Sequence, residues 1–103
     1  MHVKTKQDVF DILHKYRGDI RALGVRRCGV FGSFARDRAT SESDVDVLVE
    51  FEPGEKTFAH FMRLVFLLED AMERPVEIVT MESLSPYLKP HILREVEYVA
   101  LDA

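Results

Sequence analysis

One cysteine, Cys28, is all the thiol chemistry available to this chain of 103 residues. A lone cysteine cannot close an internal disulfide, and inside an apolar stretch it reads as a small buried hydrophobe. A reducing, cytoplasmic setting is therefore expected. Histidine is equally sparse in pattern: His2, His14, His60 and His91 lie scattered without ligand spacing, which argues against a zinc site. No apolar run reaches the length of a membrane span, and the first residues lack a signal-peptide pattern, so no membrane role is expected. Basic residues are in deficit, with 14 Lys and Arg against 18 Asp and Glu, a net charge of −4. A general nucleic-acid binder shows a basic face, so that class is set aside. Repeats, linkers and low-complexity tracts are missing too. What remains is an ordinary globular composition, 47% hydrophobic and 31% charged, at a length that suits one domain over residues 1–103.

The informative stretch runs from Val30 to Phe51, VFGSFARDRATSESDVDVLVEF. An apolar run over residues 25–31 breaks at Gly32-Ser33, where a strand gives way to a helix start. Free backbone N–H groups there can seat a phosphate, and glycine lets it approach the chain closely. Further on, Asp44 and Asp46 stand two apart at the head of a strand and share one of its faces. Carboxylates that close repel each other, and the common relief is a divalent cation, magnesium or manganese for hard oxygen ligands. A phosphate seat beside such a pair reads as a nucleoside triphosphate site. Taken singly, Gly32-Ser33 could be a plain turn with a serine cap, and Ser43-Asp44 a loop end. Their conjunction carries the signal.

Periodicity orders the rest of the chain. Residues 5–22 predict a helix through Val9, Ile12, Leu13, Tyr16 and Ile20, stopped at Gly24. Residues 25–31 predict the first strand, with Arg26 and Arg27 exposed at its start. Residues 33–38 leave room for one or two helical turns, in which Arg36 could meet a phosphate or pair with Glu42 or Asp44. The second strand, 44–51, sets Asp44, Asp46, Leu48 and Glu50 against Val45, Val47, Val49 and Phe51. A helix over 57–72 follows, with Phe58, Phe61, Met62, Val65, Leu68 and Met72 as its buried stripe and Leu67 off it, a possible partner contact. A third strand runs from Pro75 through Thr80, and a last helix over 90–99 would bury Ile92, Leu93, Val96 and Val99. The expected fold is thus α/β, a small mixed three-stranded sheet packed with helices in the order α-β-α-β-α-β-α. A short link makes the first two strands antiparallel, and a helical crossover makes the third parallel to the second. Gly32, Ser33, Asp44, Asp46 and Glu77 then converge at one sheet edge.

GSFARD followed by SDVD resembles the signature of the DNA polymerase beta-like nucleotidyltransferase superfamily. At this length the chain is similar to its minimal nucleotidyltransferase (MNT) domains, the antitoxin partners of HEPN-domain toxins. The resemblance implies that Gly32, Ser33 and Arg36 bind the triphosphate, and that Asp44, Asp46 and Glu77 form the catalytic, metal-binding set. Two positions depart from the pattern. Asp37 stands where glycine usually follows the arginine, and Glu77, in PVEIVT, replaces a third aspartate. The resemblance further implies two Mg2+ ions and transfer of AMP from ATP to a protein hydroxyl, a tyrosine of a HEPN-type toxin held in a hetero-oligomer. The rival is a binding module that neutralises its toxin by contact and keeps only a vestigial site. Transfer to a small molecule such as an aminoglycoside is disfavoured, because no second domain is expected to form an acceptor pocket.

Overall fold

The structure is a computed structural model and describes residues 2–102. Its first helical segment is broken in two, α1 over Lys6–Lys15 and α2 over Arg17–Ala22. Thr5 caps α1 through a reciprocal box with Asp8, which satisfies donors that a helix start otherwise leaves open. The break falls at Tyr16, where the Arg17 guanidinium turns back to take the His14 carbonyl at 2.8 Å. Gly18 just beyond it is a poor helix former, so one continuous helix is not favoured.

Four strands follow: β1 over Val25–Phe31, β2 over Val45–Phe51, β3 over Val76–Thr80 and β4 over Glu97–Val99. Between them lie a four-residue turn of helix α3 (Gly32–Ala35), α4 (Phe58–Met72) and α5 (Lys89–Glu95). The sheet order is β3-β2-β1-β4, with β1 antiparallel to both neighbours and β2 parallel to β3. The parallel and antiparallel senses are those the connection lengths require.

The expected three-stranded sheet is corrected to four strands, because the last helix ends early. Val96 is extended, with φ −64° and ψ 133°, and the chain turns into an edge strand in which Cys28 faces Val99 and Val30 faces Glu97. Val96, Tyr98 and Val99 are β-branched or aromatic residues that suit a strand, and open backbone on β1 overrode their helical spacing. Leu101 beyond it is buried, an anchor that the periodicity did not show.

One face of the sheet carries Cys28, Val30, Val45, Val47, Val49, Val76 and Ile78, all buried against Val9, Leu13, Ile20, Leu64, Leu68 and Met72 of the helices. The Cys28 thiol is held there at a pKa pushed up to about 12 by burial, so it is inert as a nucleophile. A register shift between Val25 and Arg27 turns both Arg26 and Arg27 outward, where they pair with Glu50 on β2. On α4 the buried row is Leu64, Leu68, Ala71 and Met72. Phe58, expected inside, is 82% exposed, and Leu67, read as off the stripe, packs partly buried against the core. The helix is rotated from the assumed phase, because its strongly apolar sequence leaves several faces nearly equivalent.

The buried guanidinium of Arg74, between α4 and β3, ties the fold together. It donates to the Val3 carbonyl at 2.8 Å and to the Thr40 and Ser43 carbonyls at 2.9 Å, and it lies 5.1 Å from the Phe34 ring centre. Three separate stretches of chain therefore meet one side chain. Arg74→Met should strand those carbonyls and cost about 3 kcal/mol of unfolding free energy in a urea titration. A loss below about 1 kcal/mol, the size of an ordinary surface change, would show that water replaces the guanidinium freely.

Candidate active site

The site begins where β1 ends. Gly32 takes φ 75°, a left-handed backbone that disfavours side chains, and any Cβ placed on it would collide with the Asp46 carboxylate. Glycine is required here by its neighbour in β2 as well as by its dihedral. The chain then winds through α3, and Asp37 leaves it at φ 56°. That is the left-handed position where the motif ordinarily has glycine, and aspartate is among the residues that tolerate it. The polar loop 39–43 closes on itself, Thr40 N–H donating to Ser43 Oγ at 2.8 Å and Ser43 N–H to the Thr40 carbonyl at 3.1 Å. With Arg74 holding two of its carbonyls, the loop delivers Asp44, exposed, directly into β2.

Pairing does the rest. Phe31 stands opposite Asp46 across β1 and β2, and Asp46 stands opposite Glu77 across β2 and β3. The three acidic residues thus gather on the face of the sheet turned away from the helical core, at its β1-end edge. Asp46 is half-buried, and burial pushes its pKa up to about 6; the charge and hydrogen bonding of Glu77 add to this, then the charge of Asp44, with Arg36 pulling the other way. Such a carboxyl is a stored repulsion that a positive partner would relieve.

The structure brings Gly32, Ser33, Asp44, Asp46 and Glu77 into one corner, as the connection lengths implied, and Arg36 lies beside them. It alters one detail: Arg36 pairs with neither Glu42 nor Asp44. Its guanidinium donates to Glu95 Oε2 at 2.8 Å, while Glu95 Oε1 accepts the Gly32 N–H at 3.1 Å. Glu95 and Arg74 are the residues that sequence reasoning missed. Glu95 follows the half-buried Ile92 by three positions, so α5 turns both toward α3; nothing in the local pattern marked Arg74.

Among the described residues no three His, Cys, Asp or Glu side chains close into a finished metal cage. Magnesium at a nucleotide seldom uses one: one or two carboxylates and the phosphates themselves complete its octahedron. Asp46 with Glu77 beside it, and Asp44 two residues back, is a hard-oxygen donor set that fits such an ion.

A Gly-Ser turn facing clustered carboxylates at the edge of a small mixed sheet defines a protein that handles nucleotides. Residues 13–99 match the nucleotidyltransferase domain family, and the chain belongs to it. It is 37% identical over 100 residues to the protein adenylyltransferase MntA of Thermococcus cleftensis, covering 96% of this chain and all of that one. It is 38% identical to MJ0435 of Methanocaldococcus jannaschii, named as a candidate protein adenylyltransferase, over 89% of this chain and 90% of that one. A solved structure described as a candidate minimal nucleotidyltransferase superposes with a TM-score of 0.70 at 36% identity, over 85% of this chain and 93% of its own. A toxin-antitoxin structure with AMP-PNP shares the fold at a TM-score of 0.66 and 18% identity, over 92% of this chain and 72% of its own. The chain is a minimal nucleotidyltransferase, an enzyme class that moves nucleotides between molecules.

The raised pKa of Asp46 has a consequence for stability. The folded protein binds this proton more tightly than the unfolded chain, so the favourable contribution is complete below pH 3.8 and is lost as pH rises through about 6. Above that range Asp46 weighs against folding. Asp46→Asn should therefore stabilise the metal-free protein at pH 7.5 by about 1–2 kcal/mol, after allowance for solvent screening, and by nearly nothing at pH 3.5. Denaturant titrations at both pH values check this; a destabilised variant at pH 7.5 would make the carboxylate structural.

Proposed function

We propose that this chain transfers AMP from ATP to a hydroxyl of a partner protein, a tyrosine of a HEPN-type toxin, and that the transfer silences the toxin. The observation that carries the reading is the Asp46–Glu77 pair: two carboxylates set side by side by strand register, against a glycine whose missing side chain leaves room for the Asp46 carboxylate. The protein adenylyltransferase names of relatives covered over nearly their whole length supply the donor and the acceptor class. The toxin-antitoxin structure with the same fold adds a setting for the partner.

In this reading Gly32, Ser33 and Arg36 hold the triphosphate, the first two by backbone and hydroxyl donors and the third by charge. Asp44, Asp46 and Glu77 would hold Mg2+, which when bound offsets the negative charge gathering on the phosphates. The hydroxyl gives its proton to solvent, its oxygen bonds to the α-phosphorus as the bond to the bridging oxygen breaks, and pyrophosphate leaves. The chain contributes position above all, since phosphoryl chemistry gains most from alignment and charge. Arg74 fixes the loop before Asp44 and faces the Phe34 ring beside Ser33, so both halves of the site share one anchor.

A second reading is favoured by one observation. Glu77 is exposed and one methylene longer than aspartate, so its carboxylate is less fixed, and the chain could act as a binder with a weakened site. One assay separates the two: transfer of label from α-labelled ATP to a HEPN-type toxin co-expressed with this chain, with Mg2+. Wild type should label the toxin, and Asp44→Asn and Asp46→Asn should not. Glu77→Gln should lose on the order of a hundredfold in rate, while Glu77→Asp keeps or improves it. Transfer by Glu77→Asp alone, with none by wild type, would establish the binder and end the enzymatic reading for this chain.

A further inference from the structure

The contact between α5 and the phosphate seat goes beyond that activity. Glu95 places one carboxylate oxygen on the Gly32 N–H and the other on the Arg36 guanidinium. One backbone donor and one cation, converging on a planar anion, form the donor set that a phosphate oxygen of the nucleotide would take. Both cannot have it. A triphosphate would also bring its charge directly against the Glu95 carboxylate, and like charges at hydrogen-bond separation are strongly disfavoured.

The helix that carries Glu95 is lightly held. None of Lys89–Glu95 is buried, its first turn has no side-chain cap, and Leu93 is 39% exposed. It runs through Val96 into β4, a three-residue edge strand. Few apolar contacts oppose movement of α5, which marks the low-stability end of a fold.

We propose that Glu95 is an internal competitor for the triphosphate seat, closing it when nucleotide is absent and setting the affinity for ATP. The inference rests on the assignment of Gly32 and Arg36 to the triphosphate. Binding of ATP and release of Glu95 are then one event, and nucleotide occupancy is transmitted to α5 and the sheet edge. The alternative arrangement, Glu95 as a permanent strut that keeps Gly32 and Arg36 in shape for the nucleotide, predicts the opposite response to removing its charge.

The test is calorimetric titration of the full chain with ATP and Mg2+, for wild type, Glu95→Gln and Glu95→Ala. Glutamine keeps the shape and removes the charge; alanine serves if the amide perturbs folding, and cooperative thermal melting confirms each variant. Both variants should bind ATP on the order of tenfold tighter than wild type, about 1.4 kcal/mol, the scale of one charge-assisted hydrogen bond. In wild type, amide hydrogen exchange over residues 89–95 should quicken when ATP binds. Equal or weaker binding by the variants overturns the competitor and makes Glu95 a strut. If no form binds ATP or pyrophosphate, the triphosphate seat itself is refuted, and the competitor with it.

Discussion

The parallel register of β2 and β3 is the constraint on which this molecule turns. It sets Asp46 directly beside Glu77, with Asp44 two residues back and Gly32 pressed against the Asp46 carboxylate from β1. Shift that register by one residue and Glu77 points into the helical core, while Ile78 faces solvent. The apolar alternation of Val45, Val47, Val49, Val76 and Ile78 forbids the shift, because those side chains are buried together on the other face. Core packing and site geometry are therefore one specification, read from opposite sides of one sheet.

The arrangement works against stability. Half-burying Asp46 beside another acid raises its pKa and weakens the fold at neutral pH. The protein offsets this with structure at the margins of the site. Arg74 gathers the loop, the chain before α1 and the Phe34 ring around one guanidinium, with carbonyls and an aromatic face as its partners. Glu95 and Arg36 add an ion pair across α3 and α5 that leaves Gly32 N–H satisfied. Each device joins segments distant in sequence, as a small chain with short strands needs.

Much of this could be read from residues alone. Gly32-Ser33 and Asp44-x-Asp46 announced themselves by residue type and spacing, and connection lengths sufficed for the senses of three strands. Strand parity put Glu77 on the face shared with Asp46, which is where it lies. Long-range features were not legible. The β4 edge strand forms because β1 offers open backbone, and no local pattern in Glu97–Val99 outweighed a helical spacing of apolar residues. The phase of α4 escaped because Phe58, Phe61, Leu64, Phe66, Leu67 and Leu68 crowd most of its circumference. Arg74 and Glu95 were hidden for a simpler reason: a charged side chain is read as solvated until its partner is known, and both partners lie dozens of residues away.

The central claim is that the carboxylate cluster and the Gly32-Ser33 turn form a single site that accepts a nucleotide only together with a divalent cation. Calorimetric titration of ATP into the wild-type chain, once in excess Mg2+ and once in chelator, tests it most directly. With Asp44, Asp46 and Glu77 beside the proposed triphosphate seat, binding should be measurable in Mg2+ and vanish in chelator, since three carboxylates then outweigh the attraction of Arg36 and the Gly32-Ser33 donors for the bare anion. Equal affinity in the two buffers would contradict the account, and would mean that the nucleotide sits away from these carboxylates.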